Sequence, residues 1–266
     1  MTLSILITHY KRPDRLKDCI DIIRNSNLTV DYEIIVTDDC SPQKVIDEIS
    51  VLKIDKLLLS QSNSGLANNL NKGLKACSGD YILYVQEDFI ARDGLATILN
   101  ETIVILEQGK LEMVRLTANY RFQKLEPISE NISKIPMFSF QNFKYNTYRY
   151  SDHPFIVKKN FFDTYGFYLA NSTGPYGETE YAMRILKLNV KVGITTKYYF
   201  FQDDHGISVM NPKEVLIAPS RKRKGFKKSI YQYLRSVKLH IEWLTYSPNK
   251  RKLFFYKNEF NKLKIT

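Results

Sequence analysis

Chemically capable side chains stand directly after three apolar runs of the sequence. Residues 8–12 follow the first run, residues 38–39 follow the second, and residues 86–88 follow the fourth. A single group of this kind would mean little, because Asp is common in turns and helix caps. In a parallel α/β sheet, however, the carboxyl ends of the strands meet at one edge, and ligands bind there. Three groups on one predicted edge therefore indicate a ligand-binding site.

The elements that must position these groups alternate along the first hundred residues. Short apolar runs rich in β-branched residues predict strands, and segments with apolar residues at helical spacing predict helices. This alternation predicts βαβ units, that is, an α/β protein whose mostly parallel sheet is flanked by helices on both faces. The predicted strands are residues 3–8, 33–37, 56–59 and 81–85, and the predicted helices begin at Pro13, Ser41 and Leu66.

The alternation stops after about residue 118. Residues 119–155 are polar and aromatic without a clear period, and a stretch of this length inside a domain is usually a lid or binding region. Helical patterns return at 158–165 and at 177–188, and a strand-like run follows at 190–201. The second half of the chain is therefore expected to contribute binding surface more than regular sheet.

Five motifs follow one another along the chain, at residues 4–10, 34–41, 63–73, 78–88 and 177–184. In this order and spacing they resemble the inverting glycosyltransferases of family 2, over about residues 3–206. The resemblance implies a GT-A fold and transfer of a sugar from a nucleotide-sugar, by default a UDP-sugar, to a glycan or lipid-linked acceptor. The implied setting is bacterial surface polysaccharide synthesis, of capsule or lipopolysaccharide.

The resemblance also implies a division of the chain. Residues 1–218 would form the GT-A catalytic domain, with a nucleotide-binding half of about 1–117 and an acceptor-binding half of about 118–218. Residues 219–266 would form a basic helical extension at the C-terminus.

The nucleotide site implied by the resemblance lies at the predicted strand ends. Tyr10 offers a stacking face, and the carboxylate of Asp39 can accept hydrogen bonds from a base N–H. The alternative for Asp38 and Asp39 is a helix N-cap before Pro42. The implied nucleotide-binding residues are Thr8, Tyr10, Arg12, Asp38, Asp39, Asn63, Gly65, Gln86 and Glu87.

The metal site implied by the resemblance is Asp88, which matches the last Asp of the family's Asp-X-Asp motif. A divalent cation, Mn²⁺ or Mg²⁺, would offset the charge of the diphosphate through oxygen ligands. Gln86 replaces the first Asp of the motif and brings no charge. Glu87 is expected to point to the opposite face, because side chains alternate along a strand. His205 resembles a late His that helps to hold metal or diphosphate, the alternative being a structural role.

The general base implied by the resemblance is a carboxylate in the segment 174–184. Aligning Arg184 with the family's trailing Arg puts Glu178 at the base position and Glu180 second. Inversion needs such a group to deprotonate the acceptor hydroxyl during in-line attack. Both glutamates have a structural alternative. Acidic residues near the start of a helix complement its dipole, and Glu180 with Arg184 makes an i,i+4 pair. Leu70 lies where many relatives carry Arg, so either another cation such as Arg12 serves the diphosphate instead or the donor differs.

The C-terminal extension is strongly basic. From Pro219 onward there are 14 Lys or Arg and two Glu, so the rest of the chain, with 25 basic and 26 acidic residues, is near neutral. Within 221–245, an apolar stripe indicates an amphipathic helix, which would either bind an anionic membrane surface or pack on the catalytic domain. Nucleic-acid binding is not expected. The stripe comprises Phe226, Ile230, Leu234, Val237, Ile241 and Leu244.

Three isolated cysteines and the lack of a long apolar run predict a cytoplasmic protein, at most peripheral at the inner face of the plasma membrane. Two other functions remain open. A nucleotidyltransferase would need a Gly-rich basic signature after the first strand, and residues 8–12 contain no glycine. A non-catalytic scaffold of the same fold gains some support from Gln86, whereas the presence of Glu178 and Glu180 weakens it.

Overall fold

The computed structural model describes residues 1–118, 120–202 and 226–256, with the side chains of residues 226–228 excepted. The strands are β1 Thr2–His9, β2 Asp31–Asp38, β3 Lys56–Leu59, β4 Tyr81–Gln86, β5 Phe89–Ala91, β6 Met113–Arg115, β7 Glu126–Pro127, β8 Ile132–Lys134, β9 Phe155–Lys158, β10 Val192–Thr195 and β11 Phe200–Gln202. The helices are α1 Pro13–Asn25, α2 Gln43–Ser50, α3 Leu66–Ala76, α4 Leu95–Glu107, α5 Phe161–Tyr165, α6 Gly174–Lys187 and α7 Phe226–Thr245.

The main sheet has the strand order β3-β2-β1-β4-β9-β6-β10-β8-β7 within the described residues. The four strands predicted from the sequence form its parallel half, in the order β3-β2-β1-β4. Beyond β4 the sheet is mixed, because β9 runs antiparallel to both of its neighbours, β4 and β6. The predicted α/β class is confirmed, with a sheet that is parallel where the predicted site lies and mixed elsewhere.

Side chains of the parallel strands alternate between two hydrophobic cores, one on each face of the sheet. Ile5 and Ile7 pack with α1 and α4 on one face, and Leu6 packs with α3 and α6 on the other. Helix α3 lies very close to the sheet: a Cβ on Gly73 would come within 2.3 Å of Leu6 Cδ1. This close packing fixes the start of α3 against the ends of β1 and β2.

The sequence predictions are less accurate in the second half. The predicted helix at 158–165 is shorter in the structure, where only α5 is helical. Residue 158 is still part of β9, whose residues Phe155, Ile156 and Val157 are buried between β4 and β6. The strand-like run at 190–201 contains two strands in different sheets, β10 in the main sheet and β11 paired with β5. Helix α4 and strand β6 were not predicted.

The C-terminal segment packs on the rest of the chain. Leu239, Tyr246 and Leu253 are buried in the same core as α3 and α6. No helix among the described parts of the chain is long and apolar enough to span a bilayer.

Candidate active site

One cavity of about 370 Å³ lies at the carboxyl ends of β1, β2 and β4. Its volume falls in the range of small-molecule sites, which is about 300–1,000 Å³. It brings together nearly all of the residues predicted at the strand ends. We call it the nucleotide cavity, after the ligand predicted for those residues. Its lining is Thr8, His9, Tyr10, Arg12, Asp39, Asn63, Gly65, Leu66, Asn69, Gln86, Glu87, Asp88, Asp152 and Gln202.

Asp38 is the one predicted nucleotide-binding residue that does not line this cavity. Its side chain is fully buried and accepts hydrogen bonds from His9 Nδ1, at 2.8 Å, and from the backbone N–H and hydroxyl of Ser41. Burial acts to raise the pKa of Asp38, but these hydrogen bonds lower it below the usual value. Asp38 therefore holds the ends of β1 and β2 together, and it does not take the alternative role of a helix N-cap, because the N-cap of α2 is Pro42.

Asp39 holds the loop that leads into α3. Its two carboxylate oxygens accept hydrogen bonds from the backbone N–H groups of Ser64 and Gly65, both at 2.9 Å. Gly65 has a φ of +84°, a conformation that residues with a side chain rarely adopt. Asp39 Oδ1 also accepts a longer hydrogen bond from the Ser64 hydroxyl, at 3.4 Å, so Oδ2 is the oxygen that keeps a second lone pair for a ligand. Asn69, which was not predicted, lines the same cavity with a buried Oδ1 that has no hydrogen-bond partner among the described residues.

Gln86, Glu87 and Asp88 all face the nucleotide cavity. The expectation that Glu87 points to the opposite face is wrong, because β4 ends at Gln86 and strand alternation does not extend beyond it. Burial, together with the charge of Asp88, raises the pKa of Glu87 to about 8. Arg12 Nη1 lies 3.9 Å from Glu87 Oε1 and 3.4 Å from Asp88 Oδ2. The guanidinium group suggested for the diphosphate therefore lies beside both carboxylates.

Asp88 is the residue that best fits a divalent metal. Its Oδ2 accepts a hydrogen bond from Gln202 Nε2 at 2.9 Å, whereas its Oδ1 is buried with no hydrogen-bond partner in the part of the chain that the structure describes. Such an oxygen suits a hard cation whose other ligands come from a diphosphate and water. Within the described ranges no three His, Cys, Asp or Glu side chains form a group that could hold a metal ion by themselves. His205 lies outside the described residues, and its role stays a prediction.

A second, smaller cavity of about 20 Å³ adjoins the first, and we call it the base cavity. Leu66 and Asp152 line both cavities, and Glu178 at the start of α6 lines the smaller one. Burial, followed by the charge of Glu178 and a side-chain hydrogen bond with it, raises the pKa of Asp152 well above its usual value. The sequence analysis missed Asp152, which lies in the aperiodic stretch before β9.

The structure does not bring Glu180, the second predicted base, to either cavity. Its fully buried carboxylate pairs with Arg184 on the same helix and with Arg251 at 3.3 Å, and it accepts a hydrogen bond from Tyr246. The i,i+4 alternative is therefore the role that the contacts support. Because Tyr246 and Arg251 follow α7, Glu180 joins the C-terminal segment to the helix that carries Glu178.

The predicted apolar stripe of α7 faces away from the protein. Five of its six residues are exposed, and the side chain of the sixth, Phe226, is outside the described part. The opposite side of the helix is buried at Ser236, Leu239 and Glu242. The expectation that the stripe packs on the catalytic domain is therefore wrong. The exposed members are Ile230, Leu234, Val237, Ile241 and Leu244.

Comparison with known protein sequences identifies relatives. Residues 4–102 match the family described as Glycosyl transferase family 2. An uncharacterized glycosyltransferase of Haemophilus influenzae is 24% identical over 135 residues, which is 47% of this chain and 45% of that protein. A poly(ribitol-phosphate) beta-glucosyltransferase of Bacillus spizizenii is 29% identical over 102 residues, which is 36% of this chain and 16% of that protein. The matched region therefore spans less than half the length of either relative.

Solved structures with a similar fold include two glycosyltransferases. TarS 1–349 of S. aureus in complex with UDP-GlcNAc has a TM-score of 0.56 and 14% identity, covering 94% of this chain and 69% of that one. A mannosyltransferase from Pyrobaculum calidifontis in complex with GDP-Man and Mn²⁺ has a TM-score of 0.51 and 11% identity, covering 74% and 56%. The resemblance seen in the sequence is thereby confirmed for the fold and for the family that the N-terminal part matches: the chain has the GT-A fold, and its residues 4–102 match glycosyl transferase family 2.

Proposed function

We propose that the chain transfers one sugar, with inversion, from a nucleotide-sugar to a hydroxyl group of a glycan or lipid-linked acceptor. The observation that carries the proposal is the pairing of the two cavities. The nucleotide cavity is lined by the strand-end residues, and the base cavity next to it is lined by Glu178. Asp152 lines both cavities. A donor bound in the first cavity would have its sugar directed towards a carboxylate in the second.

In this proposal the nucleotide cavity binds the donor through groups of three kinds. Tyr10 gives a stacking face, Asp39 accepts hydrogen bonds from the base, and Arg12 supplies positive charge to the diphosphate. UDP is the first choice of nucleotide, in keeping with the UDP-GlcNAc bound to TarS. GDP remains the alternative, since the Pyrobaculum enzyme binds GDP-Man.

Asp88 would be the protein's metal ligand in the donor complex. When bound, Mn²⁺ or Mg²⁺ supplies positive charge to the diphosphate, which makes that group a better leaving group. Arg12, which lies beside Asp88, adds a fixed positive charge at the same place. His205 is proposed as a further group for metal or diphosphate.

The chemical step would be a single displacement. The acceptor oxygen forms a bond to the anomeric carbon while the bond from that carbon to the diphosphate oxygen breaks. The proton of the acceptor hydroxyl passes to the carboxylate of Glu178, and the nucleoside diphosphate leaves with the electron pair of the broken bond. Inversion follows because attack and departure occur on opposite faces of the sugar.

The proposed setting is the synthesis of a bacterial surface polysaccharide, in the cytoplasm at the inner face of the plasma membrane. The relative from Bacillus spizizenii acts on poly(ribitol-phosphate), by its name. The exposed stripe of α7 supports membrane contact, because residues 219–266 also carry 14 Lys or Arg against two Glu. An apolar stripe between basic side chains suits an anionic lipid surface.

Release of free nucleoside diphosphate from a panel of UDP-, GDP- and dTDP-sugars tests the proposal. We expect one donor to be turned over, with water as a slow substitute acceptor, and the rate to rise with Mn²⁺ or Mg²⁺. The variant Glu130→Gln, which changes an exposed glutamate, should match the wild type. Binding of a nucleoside diphosphate without turnover in any mixture that contains bacterial glycolipid acceptors would favour the scaffold.

A further inference from the structure

We infer that Asp152 is a positioning residue that shares one proton with Glu178, and that Gln86 holds Asp152 in place for this purpose. The inference deepens the proposed function and rests on it, because it assigns a partner to the proposed base. It concerns a residue that lies at the boundary between the nucleotide cavity and the base cavity.

The geometry brings the two carboxyl groups together. Asp152 and Glu178 both line the base cavity, whose volume is only about 20 Å³, so the two side chains lie close together. Two carboxylates that share so small a space repel each other when both are ionised, which strongly raises the pKa of one of them. A proton held between them removes this repulsion, and the pair then carries a single negative charge.

The surroundings favour Asp152 as the carboxyl that keeps this proton. Burial and then the charge of Glu178 raise the pKa of Asp152 well above its usual value. The nearby titratable groups include His153, whose pKa is lowered by burial to about 4, and the buried Arg115, whose Nη2 donates a hydrogen bond to Ser151 Oγ at 2.7 Å. The others are tyrosines whose pKa values are raised, by burial first, so that they stay uncharged near neutral pH. They are Tyr84, Tyr120, Tyr150 and Tyr168.

Gln86 fixes the backbone of Asp152 from the neighbouring strand end. Its Nε2 donates a hydrogen bond to the backbone oxygen of Asp152 at 3.0 Å. A carboxylate at this position would have no N–H to donate and would bring a second negative charge next to the singly charged pair. The departure of Gln86 from the acidic motif is therefore explained by the neighbour it contacts.

The shared proton leaves Glu178 ready to act. One oxygen of Glu178 accepts the hydrogen bond from the protonated Asp152, which orients the carboxylate. A lone pair that remains on Glu178 accepts the proton of the acceptor hydroxyl when the new glycosidic bond forms. The proton of Asp152 stays where it is, so Asp152 positions the base and does not itself react.

Two variants of Asp152 separate this role from a structural one. Asp152→Asn keeps an N–H donor to Glu178, so kcat should stay within a few-fold of wild type. Asp152→Ala removes the donor and should lower kcat by roughly 10²-fold, as expected when a reacting group is misplaced. The exposed control Asp163→Asn should behave like wild type. Wild-type kcat in Asp152→Ala would overturn the inference.

The pH profile gives the readout that a structural role would not change. As pH rises through the raised pKa of Asp152, its proton is lost, Glu178 is repelled and kcat falls. This alkaline decline should be present in the wild type and in Asp163→Asn and absent in Asp152→Asn, whose amide does not titrate. An unchanged alkaline decline in Asp152→Asn would contradict the inference. Gln86→Asp should lower kcat, and a gain in kcat would also contradict it.

A titration of ¹³C-labelled carboxyl groups without substrate keeps the test independent of turnover. We expect one Asp resonance whose pKa lies well above the usual range of Asp in the wild type, that is lost in Asp152→Asn, and that shifts to lower pH in Glu178→Gln. If no nucleotide-sugar is turned over but this resonance is found, the proposed function fails and the shared proton stands. If Asp152 titrates in its ordinary range, the shared proton fails whatever the activity.

Discussion

The two cavities of the site are built in different ways. The nucleotide cavity is formed by residues at the ends of β1, β2 and β4, whose positions follow from regular strand pairing. The base cavity depends on Asp152 in an irregular stretch and on Glu178 at the start of α6. Helix α6 is in turn held through Glu180 by Arg251 and Tyr246 from the C-terminal segment.

This difference indicates which parts of the chain determine nucleotide binding and which determine the placement of the base. Nucleotide binding depends on the paired strand ends at one edge of the sheet, so a change in α6 or α7 should leave it intact. Placement of the base depends on contacts between segments 66 or more residues apart. Substitutions in the two regions should therefore affect turnover, stability and nucleotide binding in separable ways.

The largest expected effect separates chemistry from donor binding. Glu178→Gln removes the proposed base, which is worth about 10²–10⁴-fold in rate, and should lower kcat accordingly. The Kd for UDP, measured by calorimetry, should stay close to the wild-type value, because Glu178 does not line the nucleotide cavity. Glu130→Gln is the matched control on the surface. Full activity of Glu178→Gln would remove the base cavity from the mechanism.

The next effect tests the attachment of the C-terminal segment. Glu180→Gln leaves Arg184 buried without its charged partner, and breaking a buried ion pair costs about 3–5 kcal/mol of unfolding free energy. Urea denaturation measures the loss, with Glu48→Gln on the exposed face of α2 as control. A loss below about 1 kcal/mol would show that Glu180 does not hold α6 to the segment that follows α7.

A third variant acts on the nucleotide cavity alone. Asp88→Ala removes the buried Oδ1, which has no hydrogen-bond partner within the described ranges, and should weaken metal-dependent UDP binding by roughly 10²-fold. The stability of α6 and α7 should not change. Calorimetric titrations with and without Mn²⁺ measure the effect, and Asp163→Ala is the control. Equal metal dependence in Asp88→Ala and wild type would place the cation elsewhere.

The smallest effect concerns the outer face of α7. Leu234→Asp and Leu244→Asp should each weaken binding to phosphatidylglycerol vesicles by about 10- to 100-fold, because a leucine side chain contributes roughly 1.5–3 kcal/mol when it leaves water and each 1.4 kcal/mol is a factor of ten. Cosedimentation measures the binding, and turnover in solution should be unchanged. Val51→Asp, another exposed apolar site, is the control. Equal binding of all variants, or of wild type to neutral vesicles, would contradict membrane contact through the stripe.

The sequence predicted most residues of the nucleotide cavity because the end of a strand can be recognised from a short stretch of sequence. Thr8, Asp39 and Asp88 each follow an apolar run, and parallel pairing brings such ends together. The two errors nearby are also local. Strand alternation was applied one residue beyond the end of β4, and adjacent acids at 38–39 gave no sign of which one Ser41 and His9 would hold.

The second half of the chain was less predictable because its structure depends on contacts between residues that are far apart in the sequence. No periodicity marks Asp152, although an acid in an aperiodic stretch rich in Tyr is a signal that could have been followed. Glu180 looked like a base candidate because its partners, Tyr246 and Arg251, lie 66 and 71 residues further along. The periodicity of α7 identified the apolar face, but periodicity alone does not tell whether such a face is covered.

The most direct test of the account is a thermal-shift screen against UDP, GDP, dTDP and CMP, each with and without Mn²⁺. We predict a selective rise in melting temperature with one nucleoside diphosphate, larger with the metal and preserved in Glu178→Gln. The same ligand should give no rise in a variant that disrupts the nucleotide cavity, Asp39→Ala. No rise with any of the four nucleotides in the wild type would contradict the central claim that the cavity at the strand ends binds a nucleotide-sugar.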